Sequence, residues 1–303
     1  MTHPELINAK TMNEITNYLS LTEPPGLILQ GPNGLGKGEA ARYIAAGLLD
    51  CMEQELYKNP DFFETLKDSA VKAENMDELL AGSQRSAIGS RKVFIIHNAH
   101  TITAATQNRL LKLLEDHADK NILILLSATG RLLDTIKSRC HTISFYPLAQ
   151  KSMKGYLDTL GVEADYWDFL CNLTECCPFS IPAYGPELKE YISQLKQMYN
   201  LTVRSDLLRL FHLQKEKDND NFFTVHSEHP AWNIRILLFP FHELLLKNIC
   251  GKPPGQAPFP FKLYTDTQAL KILEYGMQHL TMLQNAYTKN DYFNLARFII
   301  QVQ

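Results

Sequence analysis

The stretch of residues 91–147 constrains the fold more than any other, because two apolar runs flank an amphipathic segment. Residues 91–96 and 121–126 are rich in valine, isoleucine and leucine, which is typical of buried strands. Residues 103–116 carry leucines on one side, which predicts a helix, and residues 141–145 predict a short third strand. Strand, helix, strand is the crossover unit of a parallel sheet. Strands that are apolar on both faces predict a sheet covered by helices.

A glycine-rich loop comes earlier in the chain, between a short predicted strand at residues 26–30 and a predicted helix. Residues 31–38 match the phosphate-loop pattern G-x-x-x-x-G-K. Glycines let backbone N–H groups approach a phosphate, and the following helix directs its positive end at the anion. Lys37 is expected to neutralise the β and γ phosphates. The candidate nucleotide-binding residues are Gly31, Asn33, Gly34, Gly36, Lys37 and Gly38.

Two features that ATP hydrolysis requires are missing from the sequence. Gly38 stands where a serine or threonine hydroxyl would be the first protein ligand of Mg²⁺. After the strand that ends at residue 96, an Asp-Glu pair is expected, but the chain has His97-Asn98. His97 could be a metal ligand or a base; the favoured interpretation is a strand-end histidine satisfied by backbone groups. We therefore predict little or no hydrolysis, whereas binding of ATP or ADP stays open.

Composition limits the classes of protein to consider. Of the 303 residues 45% are apolar, and the net charge of -3 argues against coating by nucleic acid but not against a local basic face. Since no run of about 18 apolar residues occurs, we expect neither a membrane span nor a membrane partner. The N-terminus lacks a secretion pattern, and the six cysteines form no Cys-x-x-Cys pairs, which indicates the cytoplasm.

The chain is predicted to become entirely helical after Pro147. Segments 152–160, 164–173 and 187–199 have helical spacing, and further amphipathic helices follow from residue 201. We therefore predict three domains: a nucleotide-binding-like sheet domain at residues 1–148, a helical lid at 149–200 and an all-helical domain at 201–303. The last domain has apolar faces that suit oligomerisation.

Two further motifs carry a resemblance to a known family. Residues 105–115 contain Gln-Asn-Arg-Leu-Leu-Lys-Leu-Leu-Glu, and residues 132–140 end in Ser138-Arg139-Cys140. Together with the phosphate loop and with His97-Asn98 in place of the acidic pair, they resemble the bacterial clamp-loader AAA+ proteins, and within that family the delta-prime branch. The match is clear over about residues 25–148.

The resemblance implies an α/β fold: an AAA+ P-loop parallel sheet domain, then a small helical lid and an all-α collar. It implies a non-hydrolysing subunit, an accessory to a DNA polymerase rather than an enzyme by itself. Its partners would be motor and delta-type subunits and, through the complex, the sliding clamp and primed DNA. Arg139 would act as a finger toward the nucleotide of a neighbouring subunit, and Ser127 or Thr129 would occupy the nucleotide-sensing position. The alternative is an ATP-hydrolysing motor subunit or another AAA+ ATPase.

The family often carries a zinc site, and the sequence departs from it there. Cys51 is alone between the phosphate-loop helix and the strand that begins near Val93. Structural zinc is held by four cysteine or histidine ligands. We therefore predict that the protein contains no zinc and requires no cofactor.

Overall fold

A computed structural model describes residues 4–65, 82–83, 87–116, 121–181 and 265–282, together with positions 238, 241 and 245. Within these residues, five strands form one parallel sheet in the order β2-β3-β4-β1-β5. The strands are β1 Gly26–Gln30, β2 Phe62–Glu64, β3 Lys92–Ile96, β4 Asn121–Ser127 and β5 Cys140–Ser144. The parallel α/β architecture predicted from the sequence is confirmed.

The sheet is buried on both faces because its central strands alternate two sets of apolar side chains. Leu27 and Leu29 of β1 join one apolar cluster with Ile44. Ile28 points to the other face and joins a second cluster with Leu110 and Ile136. Successive side chains of a strand point to opposite faces, so a continuous apolar run must be covered twice.

Helices provide that cover on each side. The first cluster includes residues of α1 and α2, and the second includes residues of α3 and α4. The helices in chain order are α1 Ala9–Leu19, α2 Lys37–Leu48, α3 Ala104–Asp116, α4 Asp134–Lys137, α5 Gln150–Thr159, α6 Trp167–Thr174 and α7 Asp266–Met282.

Two differences from the sequence prediction lie in the first 65 residues. The apolar spacing of residues 6–20 predicts one helix, but Pro4–Leu6 form a 3-10 turn and α1 begins at Ala9, where the Asn8 side chain caps it by accepting from the backbone N–H of Lys10. The polar, charge-mixed sequence of residues 51–90 predicts only one crossover helix with loops. Instead β2 adds an edge strand that pairs with β3. The predicted helical patch of that segment, around residues 76–80, lies outside the described residues.

The chain divides into two compact units. The first comprises Met1–Ala149 and Cys177–Ser180, and the second comprises Gln150–Cys176 and Ile181–Gln303. In the second unit α5, α6 and α7 are helical as predicted, while the predicted helix at 187–199 and most of the region after 201 lie outside the described residues. The three predicted domain boundaries stay predictions. In the part of the chain that is described, no helix has the length and apolarity to cross a bilayer.

Candidate functional site

The phosphate loop connects β1 to α2, as the sequence predicts. Gly34 and Gly36 adopt left-handed backbone angles, with φ of 82° and 78°. Only glycine takes these angles without strain, and Gly36 is also the N-cap residue of α2. The loop therefore has the backbone shape that its glycines suggest, and its helix begins at Lys37.

Lys37 is turned into the loop and is buried, with 8% of its surface exposed. Its Nζ donates to the carbonyl oxygens of Gly31 at 2.5 Å and Pro32 at 2.6 Å. Burial lowers the pKa of Lys37 to about 8, and the nearby Cys177 thiol acts in the opposite direction. The cation that the motif supplies thus lies beneath the loop and binds the loop's own carbonyl groups.

Gly34 and Gly36 form one side of the loop, which we call the glycine face. It contacts a distant segment of the same unit, Cys177–Ser180. The backbone N–H of Phe179 donates to the carbonyl of Gly34 at 3.0 Å. A Cβ atom on Gly36 would lie 2.5 Å from Cε2 of Phe179, so the ring rests directly on this glycine. A Cβ atom on Gly34 would overlap the hydroxyl of Ser180. No local sequence pattern predicts this contact, because the two segments lie far apart in the chain.

The position next to Gly38, where a magnesium ligand would project, is bordered by two nitrogen-bearing side chains. A Cβ atom on Gly38 would lie 3.5 Å from Cε1 of His97 and 3.9 Å from both terminal nitrogens of Arg42. A guanidinium has no lone pair to offer a cation, and His97 turns the carbon atom Cε1 toward this point. These residues do not fit Mg²⁺.

A carboxylate does reach this edge of the sheet, but it comes from the neighbouring strand. Glu64 at the end of β2 accepts from His97 Nε2 at 2.7 Å and from Arg42 Nη1 at 3.0 Å, both on Oε1. Tyr57 donates its hydroxyl to Oε2 at 2.7 Å. Arg42 also pairs with Glu39 on its own helix. We call Glu39, Arg42, Tyr57, Glu64 and His97 the Glu64 cluster.

The charge of Glu64 is stabilised within this cluster. Burial raises the pKa of the carboxyl, but hydrogen bonds from His97 and Tyr57 and the charge of Arg42 outweigh it and lower the pKa. The carboxylate is therefore ionised at neutral pH and already accepts three hydrogen bonds.

The interpretation of His97 needs one correction. Its backbone N–H donates to the hydroxyl of Thr65 at 2.9 Å, and its ring binds a carboxylate rather than the expected backbone group. The reason is the parallel register, in which Glu64 pairs with Ile95, two residues before His97. Asn98 follows in a left-handed conformation, and its carbonyl accepts from the backbone and hydroxyl of Thr101 at 2.8 Å each.

The two candidate sensor residues differ in their surroundings. Ser127 is fully buried at the end of β4, and its hydroxyl donates to the carbonyl of Thr129, whose own side chain is exposed. The Ser127 carbonyl accepts from the N–H of Gly31 at 3.1 Å, so this serine supports the start of the phosphate loop. His100 accepts from the N–H of Ala128 at 3.2 Å. Burial lowers the pKa of His100, and the charges of Lys37 and Arg131 lower it further.

Arg139 lies at the surface, between α4 and β5. Its Nη1 donates to the carbonyl of Thr135, the second residue of this short helix, at 3.0 Å. The helix is anchored by Ile136, which is fully buried in the second apolar cluster. The next residue, Cys140, pairs with Gly26 at the start of β1. Arg139 is therefore an exposed side chain on a rigidly attached backbone.

A buried polar side chain, Gln107, joins the two family motifs. Its Nε2 donates to the carbonyl of Ile102 at 3.0 Å, and its Oε1 accepts from the N–H of Leu133 at 2.9 Å. Leu133 is the N-cap residue of α4. Gln107 thus ties the start of α3 to the helix that carries Arg139, which explains why glutamine is useful at this place in the motif.

Among the described residues, no three histidine, cysteine, aspartate or glutamate side chains come together as metal ligands. We predict that the protein purified without chelators contains no stoichiometric zinc, because Cys51 lacks a second cysteine in its segment. Elemental analysis of the purified chain measures this directly, with a four-cysteine zinc protein as the positive control. One zinc per chain would contradict the prediction.

Comparison with known proteins finds relatives among the subunits of DNA polymerase III. Residues 8–149 match the sequence family described as "DNA polymerase III, delta subunit". The chain is 23% identical over 243 residues to "DNA polymerase III subunit delta'" of Bacillus subtilis, covering 72% of this chain and 70% of the relative. It is 34% identical over 132 residues to the protein of the same name from Pseudomonas aeruginosa, covering 37% of this chain and 40% of that one.

A solved structure agrees in fold over nearly the whole length. The crystal structure of a DNA polymerase III, gamma subunit-related protein from Thermotoga maritima has a TM-score of 0.56. It covers 97% of this chain and 99% of that one at 16% sequence identity, which establishes the fold and nothing finer. The resemblance found in the two motifs is confirmed: residues 8–149 match the DNA polymerase III delta family, and the chain is delta-prime-like.

Proposed function

We propose that this chain is a non-hydrolysing, delta-prime-like subunit of the DNA polymerase III clamp loader. In this role it assembles with motor and delta-type subunits, and the complex places the sliding clamp on primed DNA in the cytoplasm. The chain supplies Arg139 to the nucleotide of a neighbouring motor subunit. The observation that carries the proposal is an exposed arginine on a sheet domain whose own metal position is bordered by Arg42 and His97.

The Glu64 cluster supports the non-hydrolysing part of the proposal. ATP hydrolysis requires a cation held near the phosphates and a base or carboxylate that positions water. Gly38 has no hydroxyl, and the carboxylate of Glu64 accepts hydrogen bonds from His97, Arg42 and Tyr57. A carboxylate held in this way by a guanidinium and a histidine does not serve as a metal ligand or a base.

We predict that the isolated chain turns over ATP far more slowly than about 1 per second, the lower end of typical enzyme rates. The reason is the simultaneous loss of cation and water positioning. Phosphate release by the purified chain, in the presence of Mg²⁺, is the measurement, and a motor subunit assayed in parallel is the positive control. Any residual ATP turnover should be the same in Lys37→Ala as in the wild type, because it does not arise at the phosphate loop.

The alternative, an ATP-hydrolysing motor subunit, is distinguished by the same assay. The phosphate-loop pattern is its support in the sequence. Turnover near 1 per second that disappears in Lys37→Ala would favour the alternative and contradict the non-hydrolysing role.

Assembly is tested separately from chemistry. A tagged form of this chain should capture the motor and delta-type subunits of its own organism. A complex reconstituted with the chain should load the clamp on primed DNA, and one without it should not. Contacts with DNA are expected only through the assembled complex and to phosphates, so they should weaken steeply with salt. Loading at full rate without this chain would refute the proposed role.

A further inference from the structure

The phosphate loop has an occupied surface, and its occupant is a segment of the same chain. The glycines of such a loop are useful because a ligand can approach the backbone where side chains would stand. In this chain that approach is taken by Phe179 at Gly36 and by Ser180 at Gly34. The hydrogen bond from the Phe179 N–H to the Gly34 carbonyl fixes the segment in register with the loop.

We propose that the phosphate loop has become a binding site for the chain's own segment Cys177–Ser180, which occupies the glycine face in place of a nucleotide. This inference goes beyond the proposed function, because it assigns the loop a ligand and stands on contacts inside the first unit alone. Any phosphate compound that approaches Gly34 and Gly36 must first displace Phe179 and Ser180.

The chemistry of the segment Cys177–Ser180 favours stable contact with the phosphate loop over ready exchange with a phosphate ligand. Cys177 and Pro178 are buried, and Cys177 belongs to the same apolar cluster as Leu35 of the loop. Phe179 adds a ring that packs on a glycine, so its contact is apolar rather than ionic. The ammonium of Lys37, which would attract a phosphate, donates to carbonyl oxygens of the loop. The apolar ring of Phe179 over Gly36 and the hydrogen bonds of Lys37 to the loop's own carbonyl groups both disfavour the binding of an anion at the loop.

The first test measures whether the segment rests on the loop in solution, and it requires no variant. Hydrogen exchange of the full-length chain, resolved to single amides, should show the Phe179 amide protected, because it donates to Gly34. Exchange of this amide at the rate of an unstructured peptide would overturn the proposal.

The second test asks whether the contact with Ser180 is real, through a double-mutant cycle. Gly34→Ala is destabilising both because of its φ of 82° and because its Cβ overlaps the Ser180 side chain, while Ser180→Gly removes that side chain and leaves the φ strain in place. Gly34→Ala should therefore shift the unfolding equilibrium about tenfold less in the Ser180→Gly background than in the wild type. Gly155→Ala, where a Cβ has no neighbour within 4 Å, is the matched control and should show no coupling. Equal effects of Gly34→Ala in both backgrounds would overturn the proposal.

The third test is competition, with inorganic tripolyphosphate and with ADP as the probes. Wild type should either fail to bind them or bind them while the Phe179 amide loses its protection. Phe179→Ala, which removes the ring from Gly36, should increase the fraction bound at a given probe concentration if wild type binds at all. Binding by wild type with the Phe179 amide still protected would show that segment and phosphate do not share a site. None of these measurements depends on clamp-loader assembly, so this inference and the proposed function can fail independently.

Discussion

Replacing Arg139 by alanine should leave this chain folded and able to assemble, yet slow both ATP turnover and clamp loading by the reconstituted complex. An arginine that reaches into a neighbour's site stabilises the charge that builds up on the transferring phosphoryl group, with an effect of roughly 10³ to 10⁵ in rate at that site. A guanidinium suits this task because it stays charged and can contact two phosphate oxygens at once. If one of several sites depends on it, total ATP turnover falls only in part, and loading falls more.

The position of Arg139 explains why the substitution should affect the neighbour and not the fold. The side chain is exposed, and its Nη1 donates to the carbonyl of Thr135 in α4. The backbone is held on one side by the buried Ile136 and on the other by the pairing of Cys140 with β1. Surface substitutions of this kind usually change stability by about 0.5 kcal/mol or less. Thermal unfolding of Arg139→Ala should therefore match that of the wild type.

The matched control is Lys137→Ala on the same helix. Lys137 is exposed and forms an i,i+3 pair with Asp134 at 3.2 Å, so its removal takes away one nearby positive charge at little cost in stability. It should leave both rates unchanged. Arg139→Lys should restore little activity, because an ammonium keeps the charge but not the paired N–H groups. Wild-type turnover and loading by the Arg139→Ala complex would rule out the finger role.

The sheet and the phosphate loop could be predicted because their signals are local. Residues 27–29, 93–96 and 122–126 are continuous apolar runs, and the loop glycines are separated by fixed intervals. Strand β2 escaped prediction because Phe62–Glu64 is only three residues long and lies at the edge, where one neighbour suffices. A run that short carries no periodicity to recognise.

The occupants of the site could not be predicted, because they are far apart in the sequence. Glu64 and His97 are separated by 33 residues and meet only through the pairing of β2 with β3. Phe179 stands about 140 positions after the glycines that it covers. The sequence shows that the two carboxylates expected after β3 are missing. Only the fold shows that Arg42 and His97 border the position next to Gly38 where a magnesium ligand would project.

The second large effect is expected at Glu64. Replacing it by alanine should lower the free energy of unfolding by about 3 kcal/mol, the lower end of the cost of removing one partner from a buried ion pair. The lower end applies because Arg42 keeps its pair with Glu39 and has 22% of its side chain exposed. His97 loses more, since its ring is 7% exposed and its Nε2 would have no carboxylate to bind. Chemical denaturation of the two proteins at neutral pH is the measurement.

The matched control is Glu23→Ala, an exposed glutamate in the loop before β1, which should change stability by about 0.5 kcal/mol or less. Glu64→Gln should fall between the wild type and alanine, because the amide oxygen still accepts a hydrogen bond while the charge is lost. Equal stability of the wild type and Glu64→Ala would contradict the idea that the cluster stabilises this edge of the sheet.

Acid should narrow the difference in the free energy of unfolding between the wild type and Glu64→Gln. The folded state lowers the pKa of Glu64, so its ionised form stabilises the protein at pH values above the carboxyl pKa of the unfolded chain, about 4.3. As the pH falls through the lower folded pKa, Glu64 takes up a proton and this contribution is lost. The stability gap measured at pH 7 should therefore narrow below about pH 4. A gap that stays constant from pH 7 into this acidic range would mean that the charge of Glu64 does not stabilise the cluster, and that shape alone holds Arg42 and His97 beside the phosphate loop.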